Sequence, residues 1–96
     1  MQLRITPRAQ KQSLSLLSYL LEEFGQKTRN DFRTKLVQYF DTIQNEPLAF
    51  PILKENIHRA VITKQTTIIY RVNLDHNHIE ILSLFDSRKN PSRLIV

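Results

Sequence analysis

The residues that could do chemistry are mostly basic and lie in the second half of the chain. No acidic residue stands between Asn56 and Leu74, and none follows Asp86. The basic residues of these two stretches are Arg59, Lys64, Arg71, Arg88, Lys89 and Arg93. Cations collected on one face of a small domain suit a nucleic acid or an acidic protein partner. With a net charge of only +5, ordinary solubilising charge is an equally good interpretation of the composition.

Three histidines supply acid–base groups. His58 falls in a strand pattern, whereas His76 and His78 flank a turn, where we expect solvated side chains. The chain has no cysteine, which excludes disulfides and thiolate zinc sites. No pattern indicates a bound metal or cofactor, so none is expected.

A first helix is predicted to follow a short strand at the N-terminus. Thr6 is a good N-cap, and Pro7 suits the first helical position. Gly25, the only glycine, stands where a helix would end in a left-handed turn. The apolar stripe of this helix is Leu14, Leu17, Leu21 and Phe24, widened by Leu16 and Leu20.

A second helix is predicted from about residue 27 to residue 44, because Pro47 and Pro51 exclude its continuation. Its apolar stripe is Phe32, Leu36, Val37, Tyr39, Phe40 and Ile43. The short joint between the two helices predicts an antiparallel hairpin, and both stripes are expected to pack into the core.

After the prolines, the hydrophobic period falls from 3.6 to about 2. Strands are predicted near residues 57–64, 66–73 and 78–85, and the two short turns between them make an antiparallel meander. The predicted fold is α+β with the order β-α-α-β-β-β: a helical hairpin on one face of a four-stranded, mainly antiparallel sheet, with residues 1–96 as a single domain. The basic residues of the meander are expected to line the other, partly open face.

The ends and the hydropathy of the chain indicate a cytoplasmic protein. No apolar run approaches the length of a membrane span, so no contact with a membrane is expected. Residues 1–5 lack the apolar core of a secretory signal.

Several short motifs stand in a characteristic order. Pro7-Arg8-Ala9 opens the first helix, Phe24-Gly25 closes it, Glu46-Pro47 ends the second, Arg59 follows in a strand, and then come Ile68-Ile69-Tyr70-Arg71-Val72 and the ending from Ile81 to Pro91. Over nearly the whole chain this order resembles the RelE/ParE toxins. The resemblance implies a growth-inhibitory toxin of a type II toxin–antitoxin system, neutralised by a cognate antitoxin that wraps it as helix and strand.

The family divides by target: RelE-like members cut mRNA in the ribosome, whereas ParE-like members inhibit DNA gyrase and are not known as enzymes. A metal-independent mRNA endoribonuclease needs cations for the charge at phosphorus and groups that move protons. The candidates here are Arg59, Lys64, Arg71, Arg88, Lys89 and His58.

The chain departs from the RelE-like nuclease pattern at three places. Thr67 stands where those nucleases have a strand arginine, Asp86 stands where a histidine is frequent, and no tyrosine follows Lys89. The hairpin of about 40 residues between Pro7 and Glu46 also resembles the longer ParE-like hairpin. These features favour a non-catalytic, gyrase-inhibiting toxin. A ribosome-dependent nuclease and an inactive relative that serves only as a binding module stay open.

The same basic residues are the candidates for contacts with the antitoxin or the target: Arg59, Lys64, Arg71, Arg88, Lys89 and Arg93. A sheet with one uncovered face exposes apolar surface, which usually marks a partner site. An acidic, amphipathic antitoxin segment would complement the basic meander. A homodimer and a toxin–antitoxin hetero-oligomer both stay open.

Overall fold

Two helices and five strands make up the part of the chain that the computed structural model describes, residues 1–88. The elements are β1 (Gln2–Ile5), α1 (Pro7–Phe24), α2 (Gln26–Asn45), β2 (Ile52–Lys54), β3 (Ile57–Val61), β4 (Thr66–Asn73) and β5 (His78–Asp86). The predicted helices and three-stranded meander are confirmed, with shifts of a few residues at their ends.

The strands form one sheet in the order β1-β5-β4-β3-β2. β1 runs parallel to β5, and the other neighbours are antiparallel. The sheet therefore has five strands where the sequence predicts four. The additional strand, β2, has three residues, directly follows Pro51 and pairs irregularly with β3. So short an edge strand leaves no alternating pattern by which the sequence could reveal it.

The connection between β1 and α1 ties the helical hairpin to the sheet. The Thr6 hydroxyl accepts a hydrogen bond from the Ala9 amide at 3.2 Å, as the predicted N-cap should. The same hydroxyl lies 2.9 Å from the Ile81 carbonyl oxygen and 3.2 Å from that of Leu82, to which it can donate. At the other end of α1, Gly25 joins the two helices with a φ of +92°.

α1 buries only part of the predicted stripe, and Leu17 is half-buried against the core. Leu16 and Leu20 lie in the core, whereas Leu14, Leu21 and Phe24 are 60%, 41% and 52% exposed. The apolar positions of α1 cover more than half of its circumference, so their spacing alone could not decide which part faces the sheet. On α2, Phe32, Leu36 and Ile43 are buried as predicted; Tyr39 and Phe40 are half-buried and pack against the core, and Val37 is exposed.

We expect Thr6→Val to destabilise the protein by about 1–2 kcal/mol, because valine keeps the shape but leaves the Ala9 amide and two β5 carbonyls without the hydroxyl. Urea unfolding measures the loss. Thr34→Val is the matched control, since the Thr34 hydroxyl is exposed and donates only to the Asn30 carbonyl of its own helix. Equal losses in the two variants would contradict a special role for Thr6.

Candidate functional site

The face of the sheet that the helices leave uncovered, called here the open face, carries three arginines. Side chains alternate along a strand, so Arg59 points away from the helices while its neighbours His58 and Ala60 point into the core. Arg59 stands opposite Ile69, and Arg71 stands opposite Ile57 on one side and Glu80 on the other. Arg4 of β1 is aligned with Glu80 and shares this face. The prediction that Arg59 and Arg71 lie on one uncovered surface agrees with this placement.

A groove of about 400 Å³ crosses the open face at the start of α1. Its lining consists of Thr6, Arg8, Ile57, Ile69, Arg71, Leu82 and Ser83. A bulge shapes it: Ile69 pairs with Ser83 and Tyr70 with Ile81, which leaves Leu82 as an additional residue in β5. The groove therefore has an apolar floor, hydroxyl groups and two guanidinium groups.

Arg8 is the groove residue that sequence reasoning missed as a site residue. It belongs to the Pro7-Arg8-Ala9 motif, whose position directly after β1 places the first turn of α1 beside the sheet. The two arginines of the groove differ in their surroundings: Arg71 lies 3.4 Å from Glu80, whereas Arg8 makes no ion pair with any residue in the 1–88 range. Arg59 is likewise in no ion pair within this range, so Arg8 and Arg59 are both available to a new anionic partner.

Arg88 does not belong to the open face, so the expectation that it shares a surface with Arg59 is wrong. Its guanidinium donates to the Asp86 carboxylate at 2.8 and 3.1 Å and lies 5.9 Å from the ring centroid of Phe24 in α1. The Tyr19 hydroxyl of the same helix lies 3.5 Å from the Arg88 carbonyl oxygen. The strand register explains the separation, because Asp86 pairs with Thr66 on the side that faces the helices.

Lys64 does not line the groove. Lys64 is exposed in the turn between β3 and β4, at the end of the sheet near Arg88. There, the Ser87 amide donates to the Gln65 carbonyl. Lys89 and Arg93 lie outside the described residues.

The buried Asp86 carboxylate holds this end of the sheet together. It accepts hydrogen bonds from the Thr66 hydroxyl, from the Arg88 backbone amide and from the Arg88 guanidinium. Burial alone would raise the pKa of Asp86, but these hydrogen bonds and the Arg88 charge hold it below the ordinary value of an aspartate. Asp86, which replaces the histidine of the nuclease-like motif, is thus an ionised structural residue here.

His58 lies in the core and not on the open face. It is 3% exposed, its ring stacks on Tyr70 with 5.2 Å between centroids, and its Nδ1 lies 2.8 Å from the Phe50 carbonyl oxygen. Tyr70 is also buried, and its hydroxyl donates to the Pro47 carbonyl oxygen at 2.7 Å. Burial raises the pKa of Tyr70 to about 12, so its phenol stays protonated at neutral pH.

The turn between β4 and β5 departs from expectation at one histidine. His76 is exposed, but His78 is largely buried, and its Nδ1 has no hydrogen-bond partner among residues 1–88. His78 is aligned with Gln2 of β1, and its Nε2 lies 3.9 Å from the Glu80 carboxylate. The expectation that both side chains are solvated is therefore wrong for His78.

The groove can bind anions, but its lining offers little for proton transfer. The lining contains arginines and hydroxyl groups and no imidazole or carboxylate. The nearest carboxylate across the strands, Glu80, is paired with Arg71. Within residues 1–88, no three side chains of the metal-binding types come together as a metal site would require. Neither described helix is both long and apolar enough to cross a membrane.

We expect Asp86→Asn to destabilise the protein by about 2 kcal/mol at neutral pH, because it leaves a partly buried guanidinium without its counter-charge. Since the pKa of Asp86 is lowered by folding, its contribution is complete above the unfolded-state value of about 3.9 and is lost as the pH falls through the lower folded value. Urea unfolding as a function of pH should therefore show the two proteins converging in acid.

The matched control is Asp31→Asn, which removes an exposed carboxylate paired with Lys27 and should leave stability nearly unchanged at neutral pH. A difference between wild type and Asp86→Asn that stays constant from neutral pH into acid would exclude the ionised carboxylate as the source.

Comparison with known proteins identifies the fold. The sequence profile described as the ParE toxin of the type II toxin–antitoxin system parDE matches residues 3–91. No curated protein matches the chain in sequence. Among solved structures, the chain is similar to a chain of the chromosomal ParDE system from P. aeruginosa, with a TM-score of 0.72 and 16% identity over 90% of this chain and 95% of that one.

Two further solved structures have the same fold. A chain of the RelBE toxin–antitoxin complex from Mycobacterium tuberculosis is similar with a TM-score of 0.63 and 18% identity, over 88% of this chain and 95% of that one. The YoeB dimer from Staphylococcus aureus gives 0.57 and 18%, over 88% and 94%. The profile covers nearly the whole sequence and the fold agrees with it, so this chain belongs to the ParE toxin family of type II toxin–antitoxin systems.

Proposed function

We propose that this toxin acts by binding its target and not by cutting RNA, and that the target is DNA gyrase. The observation that carries the proposal is the lining of the groove, in which two arginines and hydroxyl groups lie without an imidazole or a carboxylate. His58 is buried, Tyr70 keeps its proton, and Arg88 is bound to Asp86 on the side of the helices. A groove that can hold anions but has no acid–base group in its lining suits inhibition by binding better than phosphodiester cleavage.

The long helical hairpin supports the same choice. α1 has 18 residues and α2 has 20, which fits the longer hairpin implied by the resemblance to ParE-like members. Gyrase and ribosomes both work in the cytoplasm, so we place the toxin there. The alternative is ribosome-dependent mRNA cleavage. Because the fold is also similar to chains of RelBE and YoeB structures, the experiment must measure mRNA cleavage as well.

The test compares two reactions with the same purified toxin. We expect it to inhibit supercoiling of relaxed plasmid DNA by gyrase and to leave mRNA on programmed ribosomes intact. Arg59→Ala combined with Arg71→Ala should weaken inhibition about tenfold, on the order of 1.4 kcal/mol of binding energy. Arg33→Ala, which removes an exposed arginine from α2, is the control. Cleavage of mRNA with unaffected supercoiling would overturn the proposal in favour of the nuclease, and inactivity in both reactions would favour an inactive relative.

We further propose that the cognate antitoxin neutralises the toxin by covering the open face with an acidic, amphipathic segment. The apolar floor of the groove, Ile57, Ile69 and Leu82, would receive its apolar side chains, while Arg8 and Arg59 would attract its carboxylates. Among the predicted contact residues within residues 1–88, Arg59 and Arg71 are the ones on this face, so they are the strongest candidates for antitoxin contacts.

We expect Arg8→Glu combined with Arg59→Glu to slow association with the antitoxin about tenfold at low salt, because these exposed charges steer the encounter. Stopped-flow kinetics over a series of salt concentrations measures the effect, which should shrink as salt screens the charges. The control is Arg33→Glu combined with Lys35→Glu on α2, which changes the net charge by the same amount. If the control variant slows association as much as the open-face variant does, the effect reflects net charge, and the antitoxin does not bind this face specifically.

A further inference from the structure

The outward face of α1 carries an apolar line that the fold does not use. Leu14 and Leu21 are 60% and 41% exposed, while Leu16 and Leu20 of the same helix face the core. Leu14 and Leu21 are seven residues apart, so they lie almost directly above one another on the helix surface, with Ser18 between them. We call the residues Pro7, Lys11, Leu14, Ser18 and Leu21 the α1 seam. Their spacing of three and four residues is that of helices that pack side by side.

The two halves of the seam have complementary shapes. The first half borders a shallow hollow of about 460 Å³, lined by Pro7, Gln10, Lys11, Leu14, Ser15 and Ser18. The second half carries the exposed side chain of Leu21. A surface with a hollow at one end and a protruding apolar side chain at the other fits a copy of itself that is turned end to end.

The charges along the seam have the same symmetry. Lys11 stands near one end and Glu22 near the other, and at 100° per residue they fall only about 20° apart around the helix. In an antiparallel pair of α1 helices, Leu14 of each copy meets Leu21 of the other, and Lys11 meets Glu22. The midpoint between residues 14 and 21 and the midpoint between residues 11 and 22 lie about one residue, or 1.5 Å, apart along the helix. One two-fold axis can therefore serve both pairings. Ser15 and Ser18 lie at the centre, where small side chains allow the backbones to approach.

We propose that the α1 seam is the contact by which two copies of this toxin form an antiparallel, two-fold symmetric dimer. An isologous interface brings the same surface of both copies together, so that surface must be complementary to itself in shape and in charge. The seam lies on the side of α1 away from the sheet, so the dimer leaves the open face of each copy accessible. The proposal does not depend on which target the toxin binds.

Sedimentation equilibrium of the purified full-length chain over a wide range of concentration tests the dimer. We expect a reversible monomer–dimer equilibrium that Lys11→Glu or Glu22→Lys weakens about fivefold or more, because each replaces two attractive pairs by two repulsive ones. The double variant Lys11→Glu, Glu22→Lys should restore the wild-type dissociation constant to within about twofold. Lys35→Glu makes the same charge change on α2 and should have no effect.

Cross-linking tests the position of the two-fold axis. Because the chain has no cysteine, Ser18→Cys introduces a single thiol at the proposed centre. Mild oxidation should convert this variant largely to a disulfide-linked dimer, whereas Val37→Cys, at a position of equal exposure to Leu14 on α2, should stay mostly monomeric.

Three results would overturn the proposal. The wild-type chain could be monomeric at every concentration, or the double charge variant could fail to restore the dimer that the single variants weaken. Alternatively, the toxin alone could be monomeric while Leu14→Glu combined with Leu21→Glu abolishes antitoxin binding. The last result would assign the seam to the antitoxin instead of a second copy.

Discussion

The structure depends on the alternation of side chains along the strands of a sheet that is covered on one face only. Each side chain of β3, β4 or β5 points either to the helical side or to the open side, and the side chains of its chain neighbours point to the opposite side. This constraint sends His58, Tyr70 and Asp86 towards the helices and Arg59 and Arg71 away from them. Groups that look adjacent in the sequence are therefore separated by the thickness of the sheet, and the proposed mode of action follows from that separation.

The β5 bulge and the Thr6 hydroxyl modify this simple arrangement where it matters for binding. The additional residue at Leu82 interrupts the regular pairing with β4, and Thr6 holds the start of α1 against the Ile81 and Leu82 carbonyls. As a result, the first turn of the helix, with Arg8, stands beside the sheet instead of behind it. One local irregularity thus turns a flat surface into a groove that combines residues from α1, β3, β4 and β5.

Much of the fold could be predicted from the sequence because its signals are local. The Thr6–Pro7 start of α1, the single glycine after Phe24 and the change of hydrophobic period after Pro51 each reflect nearby backbone geometry. Side-chain placement was harder to predict. The buried stripe of α1 was partly misassigned because Leu14 and Leu16 are equally apolar, and only packing against the sheet distinguishes them. Arg88 was placed on the wrong surface because its position depends on a carboxylate two residues earlier and on the distant Phe24.

The joint between the two helices has a backbone conformation that favours glycine. Gly25 has a φ of +92° and a ψ of 175°, and a β-carbon added there would meet no atom within 4 Å. An L side chain is therefore disfavoured at this position because of the positive φ of the backbone, and not because space is lacking. A mirror-image residue adopts these angles as readily as an ordinary residue adopts an extended strand. A chain of 96 residues is short enough to assemble chemically, and D-alanine at this one position would restrict the unfolded chain while favouring the backbone angles of the folded hairpin.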